Sequence, residues 1–148
     1  MKKLTALLLM SLSWTIAFCQ KPINTSEESM RKIISDKIAT YNKQDWVGEK
    51  KTLSDNVKVY EFPNTLRDST ADGLISRHSK TFDKYPKNKA EIFDIYIVGN
   101  KAILKEKITG RGEPFYSALI YEFDNDKIVN IWFISNSPTT QRPKKNGG

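Results

Sequence analysis

Residues 90–109 read AEIFDIYIVGNKAILKEKIT: two β-branched and aromatic runs divided by Gly99-Asn100. Apolar residues recur there at every second position, the mark of a strand with one buried face. Gly99-Asn100 suits a two-residue hairpin turn, because both residues tolerate the left-handed backbone that such turns use. The turn pairs Val98 with Lys101. Counting back, Ile97 faces Ala102, Ile95 faces Leu104 and Phe93 faces Glu106. The opposite face then sets Asp94 across from Lys105, an opposite-charge pair. A one-residue slip would lose that pair and turn each apolar set outward. In this register Glu106 shares a face with Phe93, Ile95, Ile97, Leu104 and Ile108, so its carboxylate is expected to point inward.

The same period of two continues downstream. Ala90–Val98, Lys101–Thr109, Phe115–Phe123 and Lys127–Ser135 read as four strands of an antiparallel meander, joined at Gly99-Asn100, Arg111–Pro114 and Asp124–Asp126. Upstream the period is helical. Thr25 and Glu28 form a capping box ahead of Met30, Ile33, Ile34, Ile38 and Tyr41, which fall on one helix face. Asp45 can cap a second, shorter helix carrying Trp46, Val47 and Leu53. Val57–Phe62 reads as a strand ended by Pro63. A loop with Asp68, Ser69 and Thr70 leads into a third helix over 71–85, which Pro86 closes. Three helices followed by a curved sheet predict an α+β, cone-shaped layer in which the helices cover the concave face.

At 148 residues the chain has room for one domain. Residues 1–19 stand apart from it. Lys2 and Lys3 precede an apolar run from Leu4 to Phe18, the length of a secretory core and short of the ~20 residues a membrane-spanning helix needs. Ala17-Phe18-Cys19 puts small residues at −3 and −1, so cleavage is expected before Gln20. The rival, a lipid anchor on Cys19, is disfavoured by the bulky Phe18 before it. The chain is therefore expected in the periplasm or outside the cell, free of the membrane once the signal is cut. Residues 20–25 form a leader, 26–135 the domain and 136–148 a flexible basic tail. Removal of residues 1–19 takes the only Cys, so the fold rests on its core alone. The net charge of +7 falls to +5 without Lys2 and Lys3. Arg142, Lys144 and Lys145 account for three more, leaving +2 over 20–141. A scattered +2 is a solvated surface and argues against a nucleic-acid partner.

Several stretches are similar to an exported subgroup of the SnoaL-like, polyketide-cyclase-like branch of the nuclear transport factor 2 superfamily. They are Val59-Tyr60-Glu61-Phe62-Pro63, Ile97-Val98-Gly99-Asn100, Glu106-Lys107-Ile108-Thr109-Gly110, and Leu119-Ile120-Tyr121-Glu122-Phe123 with Lys127-Ile128 and Ile131-Trp132-Phe133-Ile134. The resemblance implies a cone-shaped (cystatin-like) roll, frequent pairing of two copies through the outer sheet face, and no cofactor. Members that act as ketosteroid isomerases carry an Asp base before the Pro that follows the first strand, a Tyr donor in the first helix and an Asp donor in the penultimate strand. The matching positions here are Phe62, Lys37 and Leu119, so that mechanism is not expected. Closer relatives often show Asp-His just ahead of the matching Glu, where this chain has Leu104-Lys105.

Glu106 is the sharpest candidate. A carboxylate facing an apolar cone loses hydration, which raises its pKa and suits proton transfer near neutrality. The plainer reading is a structural Glu paired with a Lys or reaching solvent. His78, the only His, shares a helix face with Leu74, Phe82 and Tyr85. It reads as a polar tip lining a pocket or as a satisfied boundary histidine. With no second His and no Cys in the mature chain, a zinc cluster of those residues is excluded. Trp46, Tyr60, Phe62, Phe82, Phe93, Leu104, Leu119, Tyr121 and Trp132 are expected around the pocket, or as ordinary core. Gly110-Arg111-Gly112 looks like a phosphate loop but no helix follows it, so it reads as a turn. Asn24-Thr25-Ser26 matches a glycosylation acceptor by chance, given a bacterial context. The expected function is binding of a small, mostly apolar molecule with one or two polar groups, with cofactor-free acid–base chemistry of the isomerase, cyclase or hydratase type. Glu106 would transfer the proton, with His78 or Tyr60 assisting. The other reading is a non-catalytic homodimeric interaction module, its outer sheet face carrying Ile92, Tyr96 and Ile103.

Overall fold

Ser26 opens α1 (Glu27–Lys43), its hydroxyl accepting the Ser29 amide at 3.1 Å. The cap thus sits one residue past the expected capping box. Thr25 instead accepts the amide of Asp126 at 3.0 Å and ties the helix start to the last hairpin. The computed structural model describes residues 25–135; the expected signal segment, the remainder of the leader and the basic tail lie outside the described residues. Along α1 the buried residues are Met30, Ile34, Lys37 and Tyr41, a single stripe at helical spacing. Asp45 caps α2 (Trp46–Lys51) and Thr70 caps α3 (Ala71–Lys84), each accepting an amide three residues on.

The strands are β1 (Leu53–Glu61), β2 (Thr65–Asp68), β3 (Lys89–Val98), β4 (Lys101–Thr109), β5 (Phe115–Asp124) and β6 (Lys127–Ser135). They form one curved, unclosed sheet in the order β2-β1-β6-β5-β4-β3. β3 to β6 make the antiparallel meander read from the sequence. β1 starts earlier than expected and runs parallel to β6. β2 pairs antiparallel with β1 where a loop was expected, since Leu66 is exposed and a four-residue edge strand carries no buried period. The helices lie on the inner face, where Met30, Ile34 and Leu74 pack with Leu53, Val59 and Ile131 in one continuous core.

The β3–β4 register holds from the turn back to Asp94–Lys105 and then breaks. A bulge between Ile92 and Asp94 sets Ile92, not Phe93, opposite Glu106. The extra residue reverses the alternation. Ile92 turns inward against the core, and Phe93 is 54% exposed, edge-on to Tyr116 at 5.6 Å. Adjacent Ile92 and Phe93 are both apolar, so either phase satisfies the pattern and the sequence is blind to the switch. Glu106 keeps its inward position on β4 with Ala102, Leu104 and Ile108.

Candidate functional site

α1, α3 and the inner faces of β4 to β6 do not close completely. Between them lies a cavity of about 400 Å³, with Lys37, Tyr41, His78, Glu106, Arg111 and Tyr121 among its walls. The stripe of α1 explains its position. Met30 and Ile34 fill the layer with hydrocarbon, while Lys37 and Tyr41 bring polar tips to the next two turns.

Lys37 is buried and its Nζ donates to Glu49 Oε1 at 2.6 Å; Glu49 is fully buried on α2. His78 Nδ1 lies 3.0 Å from the same oxygen. Burial opposes charge on both partners, but Tyr121 and Glu49 beside Lys37 hold its pKa above the ordinary value. Glu49 is likewise opposed by burial, which its contacts with Lys37 and His78 outweigh, so its carboxyl stays well below the usual range. Burial, aided by Lys37, depresses His78 despite the carboxylate beside it. The 3.0 Å approach of Nδ1 to the carboxylate is not aligned as a hydrogen bond, so His78 is a mostly buried imidazole without a hydrogen-bond partner at Nδ1 among the described residues.

Glu106 is 6% exposed and accepts the Ser117 hydroxyl at 2.7 Å, directly across the β4–β5 ladder. It has no salt bridge among the described residues. Desolvation raises its pKa against the opposing pulls of Ser117, Lys37 and Arg111. The two buried glutamates thus shift in opposite directions, and of the two only Glu106 lines the cavity.

At the far end of the wall, Tyr41 and Asn88 meet the turn after β4. Asn88 Nδ2 donates to the Tyr41 hydroxyl at 2.7 Å and Arg111 Nη2 donates to it at 3.1 Å. Arg111 Nε donates to Asn88 Oδ1, and its guanidinium lies over the Phe115 ring at 6.0 Å. Gly110, at φ +80°, allows the turn, and a Cβ there would fall 1.9 Å from the Lys87 carbonyl. The 110–112 segment is a turn as expected, but its arginine belongs to the cavity. Tyr41 accepts two hydrogen bonds, so its own O–H is left to donate; burial raises its pKa and Arg111 lowers it.

Of the residues expected around the pocket, Glu106, His78, Leu119 and Tyr121 line the cavity. The others do not. Phe93 is turned out by the bulge, and Phe62 is 55% exposed past the end of β1. Tyr60 pairs with Trp132 across β1 and β6 and stacks on it at 5.6 Å. Both lie on the outer face because their neighbours Val59 and Ile131 point inward. Phe82 packs edge-on between Tyr41 and Trp46, and Leu104 belongs to the solid core. Lys37, Tyr41 and Arg111 were missed as site residues. Lys37 carried a signal, since a lysine midway between Ile34 and Tyr41 on an apolar stripe has to be buried. Arg111 carried none, because a turn's side-chain direction has no period.

Helices over one curved, unclosed sheet, with a polar cavity between the layers, define an α+β protein of the nuclear transport factor 2-like (cystatin-like) fold. Its structural neighbours include proteins of unknown function and proteins proposed to be a polyketide cyclase and a ketosteroid isomerase. One is an uncharacterized cystatin-fold protein from Novosphingobium aromaticivorans, with a TM-score of 0.65 and 27% identity over 70% of this chain and 96% of that one. A second, from Sinorhizobium meliloti and proposed to be a polyketide cyclase, has a TM-score of 0.62 and 16% identity, covering 71% and 97%. A third, proposed to be a ketosteroid isomerase and from Kribbella flavida, has a TM-score of 0.62 and 14% identity, covering 72% and 76%. No family model matches the sequence, and no curated protein matches it.

Proposed function

We propose that the chain, exported through its first nineteen residues, binds a small and mostly apolar molecule in this cavity and exchanges a proton with it through Glu106, without a cofactor. One observation carries the reading: a buried carboxyl in the wall of an open cavity, held by a hydroxyl and by no ion-pair partner among the described residues. A buried glutamate that stays charged needs a cation beside it, as Glu49 has Lys37. Glu106 has no such ion pair among the described residues, and burial moves its pKa upward, the direction that favours proton transfer near neutrality. His78 and Tyr41, the latter through its O–H, are the assisting groups; Tyr60 leaves the proposal because it stacks outside.

The test is a thermal-shift screen of steroid-, polyketide- and terpenoid-like carbonyl compounds, followed by deuterium exchange next to the carbonyl of any binder. Expected are stabilisation by at least one class, by about 2.7 kcal/mol at a hundredfold excess over Kd, and exchange that Glu106→Gln abolishes while binding persists. No stabilisation by any compound at saturation sinks the reading.

A second reading rests on the other face of the sheet. Phe93, Tyr96, Ile103, Tyr116 and Ile134 are exposed together there. Ile92, expected among them, is turned inward by the bulge and Phe93 takes its place. Clustered aromatic and aliphatic side chains on one face favour a covering partner, here a second copy. Light scattering at micromolar concentration is expected to give a dimer that Tyr96→Glu with Ile103→Lys splits. A monomeric wild type would defeat it.

A further inference from the structure

We infer that the end of the cavity walled by Arg111 and Tyr41 takes the carboxylate of a small aromatic or unsaturated monocarboxylic acid, whose body lies along Phe115, Leu119 and Phe133. This rests on the cavity-binding reading above and adds the chemical class of the ligand.

Three observations carry it. Arg111 is half-buried, and its partners are the neutral Asn88 and Tyr41; no carboxylate pairs with it among the described residues. The other buried or half-buried cations of the cavity wall are already matched, Lys37 by Glu49 and Arg77 by Asp68, while Arg67, also in the lining, is exposed to solvent. A guanidinium has five N–H donors; Asn88 and Tyr41 engage only part of the fork, and the rest has the planar spacing that fits a carboxylate.

The Tyr41 hydroxyl receives hydrogen bonds from both Asn88 and Arg111. Its hydrogen must therefore find an acceptor elsewhere, and this wall belongs to the cavity. The end thus offers donors only, so a ligand there must present acceptors, and a charged acceptor best offsets the unmatched guanidinium.

The size and charge of the space narrow the class. About 400 Å³ is at the small end of ligand sites. Arg111 as the half-buried guanidinium without a carboxylate, with Glu106 in the same cavity, suits one negative charge and disfavours a phosphate dianion. Phe115 under Arg111 and Phe133 under Arg77 give flat walls for a planar body.

Calorimetry on the full chain at neutral pH, with trans-cinnamate against cinnamamide and benzoate against benzamide, tests the inference. The acids are expected to bind about tenfold tighter than their amides, the size of a charge-assisted hydrogen bond. Arg111→Gln is expected to erase that preference, and Arg111→Lys to keep part of it, since charge remains and the fork is lost. Tyr41→Phe is expected to weaken acid and amide alike. Circular dichroism reports whether each variant folds, and Arg111→Lys serves if Arg111→Gln does not. An acid preference below about threefold in wild type, or one that both Arg111 variants retain, overturns the inference. Neutral carbonyl compounds binding where acids do not would overturn it and leave the cavity reading standing; no binding by either would remove both.

Discussion

Where α1 begins, Met30 and Ile34 press onto Leu74, Val59 and Ile131 and the helix–sheet layer is solid hydrocarbon. Where it ends, Lys37 and Tyr41 occupy the same stripe, and the layer holds a cavity, a buried ion pair and, among the described residues, a buried carboxyl without one. One helix supplies both regions through a change of side-chain chemistry at a constant period. The apolar half holds the sheet in its curve, and the polar half is where that curve leaves space. The contrast teaches that burial is not one environment: Glu49 and Glu106 are both buried, but only Glu49 is given a direct ion pair.

The polar half is the more fragile to single changes. Lys37→Met leaves Glu49 charged and without its main partner, and unfolding by denaturant is expected to show a loss of about 3–5 kcal/mol. Adding Glu49→Leu is expected to recover most of it; a double variant as unstable as the single would assign the loss to packing instead. In the solid half, Leu74→Ala removes a fully buried side chain and is expected to cost about 2–5 kcal/mol at every pH. Glu106→Gln sharpens the comparison with the smallest effect and the opposite sign. A carboxyl whose pKa is raised on folding favours the native state below the ordinary value of about 4.3 and loses that contribution as pH rises through its folded value. Melting temperatures of Glu106→Gln are therefore expected to exceed wild type at pH 7.5 and to converge with it near pH 4.

Sequence patterning carried the meander, the helix faces and the inward side of Glu106, because each rests on a period that one-sided burial enforces. The Asp94–Lys105 pair fixed the hairpin register near the turn. Beyond it the bulge at Ile92-Phe93 escaped, since two adjacent apolar residues fit either phase. Trp132 and Tyr60 looked like pocket residues because large rings favour interiors, but alternation from Val59 and Ile131 sends both outward. The Tyr41–Asn88–Arg111 cluster joins residues from a helix end and two separate loops. No local pattern links them.

Carbon-13 NMR titration of the glutamate side-chain carboxyls, assigned with Glu49→Gln and Glu106→Gln, tests the division between the two buried acids most directly. The account predicts a Glu106 midpoint above the ordinary glutamate value of about 4.3 and a Glu49 midpoint well below it. A Glu106 carboxyl that titrates at or under that value would mean that water or a cation already satisfies it, and the cavity would lose its proton-transfer group.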